Sequence, residues 1–198
     1  MNPQTELHAG FADPVFASQE VFRAVLDAMA RPGRIVDFPA GTPAVGEASA
    51  ETLAVLLALA DNTTPVWLPE PLRTEEVRQH LAFHTGAPTT DDPSRADFAV
   101  VDATTDAETI DRFAIGTPEY PDRSVTLILP CESLTGDGGW TLSGPGIETS
   151  IRFWAAPLPA GVERALRRNA ALFPLGLDAV FTAPGRIAAI PRSTGLED

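Results

Sequence analysis

The stretch from Asp97 to Leu129, DFAVVDATTDAETIDRFAIGTPEYPDRSVTLIL, carries the pattern that decides the fold. Its opening run, Asp97-Phe-Ala-Val-Val101, predicts a short strand. A short helix follows from Asp106 to Phe113, and Gly116 to Ser124 is a loop rich in proline and charge. Val125 to Leu129 is the most strongly β-forming segment of the chain. Strand, helix and strand in succession point to a sheet with helices packed on it.

The same alternation extends towards the N-terminus. Asp13-Pro14 opens a helix, with a capping carboxylate followed by proline at the first helical position. Phe22, Val25, Leu26 and Met29 form its expected inward stripe, and Pro32-Gly33 stops it. Arg34 to Phe38 predicts a short strand. Ser49 caps a second helix, in which Leu53, Leu56, Leu57 and Ala60 share a face. That helix ends at Asp61-Asn62, and Pro65 to Leu68 reads as a buried strand. Thr74 starts a third helix carrying Val77 and Leu81, with Gly86 as its left-handed stop.

Towards the C-terminus the pattern changes. Trp140 to Ser143, the turn Gly144-Pro-Gly146, and Ile147 to Trp154 predict a β-hairpin. A helix from about Pro159 to Leu172 is expected to point Val162, Leu166 and Ala170 inward, with Arg164, Arg167 and Arg168 largely outward. Leu177 to Thr182 and Arg186 to Ile190 are short strands around the turn Ala183-Pro-Gly185. The expected architecture is α/β: one layered domain over residues 1–198 with a central mixed β-sheet.

Composition narrows the chemistry. With 198 residues, 44% of them apolar, the chain has material for a substantial core. Its net charge of −13 argues against nucleic acid as a partner. All fourteen basic residues are arginine, so no Schiff base, no P-loop lysine and no amine nucleophile is possible. Cys131, the sole cysteine, rules out an intrachain disulfide and a cysteine zinc site, and its apolar setting predicts a buried, inert thiol. No signal peptide is visible, and the longest apolar run, Leu53 to Ala60, is too short to span a bilayer. The expectation is a soluble, cytoplasmic protein with no membrane partner.

No catalytic constellation emerges. His80 and His84 lie four apart on the third helix, a spacing that can hold zinc, but the His-Glu-x-x-His order is missing and no third ligand is identifiable. No metal site is therefore assigned. Asp61-Asn-Thr-Thr64 reads as local capping, since it leads into a strand rather than leaving one. Gly136-Asp-Gly-Gly139 and Gly144-Pro-Gly146 fit no phosphate-binding pattern and read as tight turns between strands. No Gly-x-Ser-x-Gly elbow exists. The most suggestive anion contact is Arg192 with Ser193 and Thr194, a guanidinium fork beside two hydroxyls. So near the C-terminus, an interface role is favoured over a ligand role.

Nine segments then carry a resemblance, in order along nearly the whole chain. They are Phe22 to Pro32-Gly33, Leu59-Ala-Asp-Asn-Thr-Thr-Pro-Val-Trp-Leu68, Phe83-His-Thr-Gly-Ala-Pro88, Asp97-Phe-Ala-Val100 and Gly116-Thr. Thr126-Leu-Ile-Leu129, Leu142-Ser-Gly-Pro-Gly-Ile147, Phe173-Pro-Leu-Gly-Leu-Asp178 and Ala189-Ile-Pro-Arg-Ser-Thr194 complete the set. With these the chain resembles the PhnH family of carbon–phosphorus lyase core-complex subunits. The N-terminal extension through Gly10 and the loop Pro118 to Arg123 depart from the family pattern.

The resemblance implies a fold similar to that of pyridoxal-phosphate-dependent transferases, without the cofactor site and with no cofactor. It implies a homodimer when isolated, and assembly with PhnG, PhnI and PhnJ, with PhnL joining in the transfer of the ribose triphosphate of ATP to methylphosphonate. The nucleosidase-type chemistry would belong to PhnI. A subunit with no catalytic residues of its own is thus the leading expectation. The rival is an independent phosphonate- or nucleotide-binding enzyme that uses Arg192.

Overall fold

The computed structural model describes residues 8–197; of the divergent N-terminal extension, the first seven residues lie outside the described residues. In chain order the elements begin with helix α1 (Pro14–Ala30), strand β1 (Val36–Asp37), α2 (Ala50–Leu59), β2 (Val66–Trp67), α3 (Glu75–Thr85), β3 (Thr89–Thr90), β4 (Phe98–Val100) and α4 (Ala107–Asp111). They continue with β5 (Thr126–Pro130), β6 (Ser133–Ser143), β7 (Ile151–Ala156), α5 (Val162–Leu172), β8 (Asp178–Ala183), β9 (Arg186–Ile190) and β10 (Gly195–Glu197).

Among the described residues, seven strands form the central sheet in the order β1-β9-β8-β5-β4-β2-β3, and β10-β6-β7 form a smaller one. From β3 to β8 every pairing is parallel, while β9 runs antiparallel to both β8 and β1. The sheet is therefore mixed, as expected.

Its inner strands β2, β4, β5, β8 and β9 are largely apolar because both faces are covered. Val66, Val100, Ile128, Val180, Ile187 and Ala189 point into a core shared with α1, α2 and α3. Their neighbours Trp67, Ala99, Leu127, Leu129, Ala179, Phe181 and Ala188 point into a second core, shared with α4, α5 and the small sheet. The period of two along each strand distributes these residues between the two cores.

Helix boundaries follow their local signals. The Asp13, Ser49, Thr74 and Asp106 side chains each accept a hydrogen bond from a first-turn N–H of their helix. Gly86 ends α3 at φ +74°, a conformation that favours a residue without Cβ.

Three expectations require correction. First, α1 buries Val21, Val25 and Ala28, whereas Phe22 and Leu26 are 50% and 56% exposed. The helix is apolar on two sides, and the narrow face built from Val and Ala is the one that packs on α2 and β9. Second, α5 buries Val162, Ala165, Leu166 and Asn169, while Ala170 faces solvent. The inward position is held by a polar residue, Asn169, so hydropathy alone selected the wrong neighbour.

Third, Gly136 to Gly139 is not a turn. It lies inside β6, where the ladder passes from Thr135↔Trp154 directly to Trp140↔Phe153. The intervening four residues bulge out of register. A Cβ on Gly139 would meet the Trp154 ring at 2.5 Å, so the bulge folds back closely enough on β7 to need glycine there. Gly144-Pro-Gly146 does lie in the β6–β7 connection, as expected. β10, not foreseen, pairs the C-terminal segment with β6.

Among the described residues no helix is long and apolar enough to cross a membrane.

Candidate functional site

The chain leaves β2 and β4, which are parallel neighbours, in opposite directions. From β2 it runs through Pro69 to Arg73 into α3, on one face of the sheet, and on to the edge strand β3. From β4 it runs through Asp102 to Asp106 into α4, on the other face, and then to β5. Where consecutive connections part in this way, the C-terminal ends of the strands are left uncovered, and a crevice forms. A cavity of about 870 Å³ occupies that place, lined by Trp67, Glu70 and Arg73 from the first connection and by Thr104, Thr105 and Asp106 from the second.

Most of these lining side chains are held in place. The Arg73 guanidinium lies over the Trp67 ring, 5.1 Å from its centroid, a favourable cation–π arrangement. Its Nε donates to the Leu68 carbonyl at 2.7 Å, and a terminal nitrogen stands 4.0 Å from Asp91. Trp67 packs edge-on against Phe113 at 5.4 Å, and its Nε1–H finds no partner. The Asp102 carboxylate accepts from the Thr104 N–H at 3.0 Å and the Thr104 hydroxyl at 2.6 Å. The Thr105 hydroxyl approaches it at 3.3 Å. Asp106 accepts from the Thr109 N–H at 2.7 Å, and that hydrogen bond holds its carboxyl below the ordinary range, so it is ionised at neutral pH.

None of these lining residues is a site candidate from sequence: Trp67 stands out only within a buried strand and the resemblance, and Asp106 only as a helix start. The available signal was positional: polar runs directly after two strands, Pro69-Glu-Pro-Leu-Arg73 and Asp102-Ala-Thr-Thr-Asp106.

The residues singled out from sequence lie elsewhere. Asp178 opens β8, so Arg192, which pairs with it, sits at the N-terminal edge of the parallel strands, opposite the crevice. Arg192 donates from its backbone N–H to Asp178 Oδ1 at 2.7 Å and from Nε to both carboxylate oxygens at 3.2 and 3.1 Å. One terminal nitrogen also reaches Asp178, and the other donates to the Pro121 carbonyl. Thr194 is buried and its N–H donates to the Pro191 carbonyl at 2.9 Å. The Ser193 carbonyl comes so near Gly144 that a Cβ there would meet it at 2.9 Å. The segment thus ties the end of β9 to the β6–β7 connection.

All three histidines converge on α3. His80 is buried, its ring 4.6 Å from that of His84. His84 Nε2 lies 3.0 Å from the His8 carbonyl, and His8 pairs with Glu76 at 2.5 Å. Burial, with the neighbouring His84 and His8, holds the His80 pKa below its ordinary value. Among the described residues no group of three or more side chains is arranged to hold a metal ion. The Asp61 loop does the local work expected of it: its carboxylate accepts from the Thr63 N–H at 2.8 Å and hydroxyl at 2.7 Å. Cys131 is buried, and burial pushes its thiol up to about 12, which makes it a poor nucleophile.

One surface stands out from the rest. Val15, Phe16, Phe22 and Leu26 of α1 are all exposed, at 75%, 67%, 50% and 56%. They follow one another along the outward side of the helix.

The chain is a layered α/β protein with a polar crevice at its switch point and an apolar helix face outside, and it contains no lysine to form an aldimine. The chain belongs to the PhnH family, bacterial phosphonate metabolism proteins, whose model matches residues 9–197. It is 42% identical over 201 residues to the α-D-ribose 1-methylphosphonate 5-triphosphate synthase subunit PhnH of Rhizobium meliloti (strain 1021), covering 100% of this chain and 99% of that protein. It is also 24% identical over 176 residues, 89% of this chain and 84% of the relative, to HtxG of Stutzerimonas stutzeri, provisionally named a C-P lyase subunit protein.

Proposed function

We propose that this chain is an accessory subunit of a carbon–phosphorus lyase system in organophosphonate breakdown. In that role it supports, with its partners, the transfer of the ribose triphosphate of ATP to methylphosphonate with release of adenine. The observation that carries this reading is the end-to-end likeness to a PhnH synthase subunit. Its partners would be the PhnG, PhnI, PhnJ and PhnL subunits, and the isolated chain would be a cytoplasmic homodimer acting as one domain over residues 1–198. The net charge of −13 supports the exclusion of nucleic acid.

Two structural features favour a supporting role. The exposed α1 face offers an apolar surface of the kind that subunit interfaces cover. Arg192 is already closed on Asp178 and the Pro121 carbonyl, so its fork has no vacancy for a substrate phosphate. We therefore assign Arg192, Ser193 and Thr194 to shaping the contact surface rather than to an enzyme's anion site.

The finer fold reading, a pyridoxal-phosphate transferase architecture without its cofactor, belongs to the same proposal. It is supported by a covered sheet of mainly parallel strands, with the crevice at their C-terminal ends, in a chain that has no lysine to form an aldimine.

The test is co-expression with the other four subunits. Co-purification, together with restored growth on methylphosphonate in a host lacking its own copy of this subunit, is the expected result. Failure to join any complex would overturn the proposal.

A further inference from the structure

We propose that the arginine face of α5 docks an acidic segment of a partner polypeptide. The inference deepens the subunit reading, on which it rests, by adding a second contact surface and the chemistry it recognises.

Arg164, Arg167 and Arg168 fall three and four positions apart on α5, so they project from one side of the helix. With Gly161, Glu163 and Ala171 they line an open groove of about 680 Å³. Arg167 is closed on Glu163 and on the Leu196 carbonyl, which joins the groove to the C-terminal segment already assigned to the contact surface.

The charge excess lies in the other two. Arg164 donates to Asp111 Oδ2 at 2.7 Å and Arg168 to Asp111 Oδ1 at 3.3 Å, so two guanidiniums share one carboxylate. Each commits one terminal nitrogen to that bond, and a guanidinium carries several more donors. Both arginine side chains are 55% exposed. In a chain of net charge −13, this pair stands against the general field and attracts anions locally.

Shape selects a polypeptide over a small anion. The paired arginines are more than half in water, so a lone phosphate would be held from one side, in competition with water and salt. An acidic segment brings successive carboxylates to successive guanidiniums and excludes water as it docks. Gly161 and Ala171, small residues towards either end of the helix, let a backbone come close. Duplex nucleic acid, another polyanion, is opposed by the net charge of the whole chain.

The test uses the assembly co-expressed with the other four subunits, immobilised through one of those and washed with rising sodium chloride. Wild-type release should rise with salt. The double variant Arg164→Gln with Arg168→Gln should dissociate about tenfold faster at low salt and lose most of that salt dependence. Replacing both by lysine, which keeps the charge without the fork, should fall between. Inorganic phosphate at matched ionic strength should release no more chain than chloride does. Phosphate-specific release would make the face a small-anion site and overturn the proposal, as would a double variant held as firmly as wild type at every salt concentration. Circular dichroism of the isolated variants checks their fold; if the double variant does not fold, Arg168→Gln alone decides by the same readout. A wild-type chain that joins no complex sinks the subunit reading and this inference with it. A wild type that joins, beside a double variant that joins equally well, sinks this inference alone.

Discussion

Arg192 shows what a residue's type reveals and what it conceals. Its fork and its neighbouring hydroxyls were visible in the sequence; its partner, Asp178, was not, because the two meet only when β8 and β9 fold together. Both side chains are largely buried, at 16% and 15% exposure, and removing one partner leaves the other carrying an uncompensated charge. Arg192→Ala should therefore destabilise the protein by about 2–4 kcal/mol, read as a lower urea midpoint, and no loss of phosphate affinity should accompany it. Asn169 was concealed in the same way. Its buried amide bonds both the N–H and the carbonyl of Leu177, a role that appears in a sequence only as an unremarkable polar residue.

His80 makes a pH prediction at this same scale. Its folded pKa lies below 6.5, so below that pH the unfolded chain binds more protons than the folded one. The stability that depends on neutral His80 is complete above pH 6.5 and is lost as pH falls beneath it. The charged or titratable groups around it are His84, His8 and Glu76. Thermal melts between about pH 7.5 and about pH 5.5 should show Tm falling with acidity. In His80→Leu, which has no imidazole to protonate, the slope should flatten; an equally steep decline would refute the assignment.

For the elements, legibility followed locality. Caps at Asp13, Ser49, Thr74 and Gly86 were readable because each depends on a few adjacent residues. The phase of α1 was not readable. Apolar residues occupy both of its sides, and the choice between them depends on what α2 and β9 leave room for. The Gly136 to Gly139 bulge was missed for a related reason: glycine marks a turn and a bulge equally well until the partner strand is in place. The outward phase of α1 is the contact surface proposed above. Phe22→Ser and Leu26→Ser remove exposed side chains with little packing, so each should change folding stability by no more than about 0.5 kcal/mol. Together they should abolish co-purification with the partner subunits. A double variant that still assembles at wild-type yield would move the docking surface elsewhere.

At the scale of the whole molecule, the two cores cannot be separated, because β2, β4, β5, β8 and β9 each contribute alternate side chains to both. Leu127 and Ile128 are adjacent in β5, both fully buried, and belong to opposite cores. The layered class of fold was legible from strand and helix alternation alone, whereas the crevice was not, since it exists only where β2 and β4 become neighbours despite the intervening α3 and β3. A shared sheet implies one cooperative unit. Leu127→Ala and Ile128→Ala should each cost about 2–5 kcal/mol through the cavity left behind. Each should lower one common transition, with calorimetric and van't Hoff enthalpies in agreement. Two resolved transitions, one sensitive to Leu127 and the other to Ile128, would show the layers melting separately.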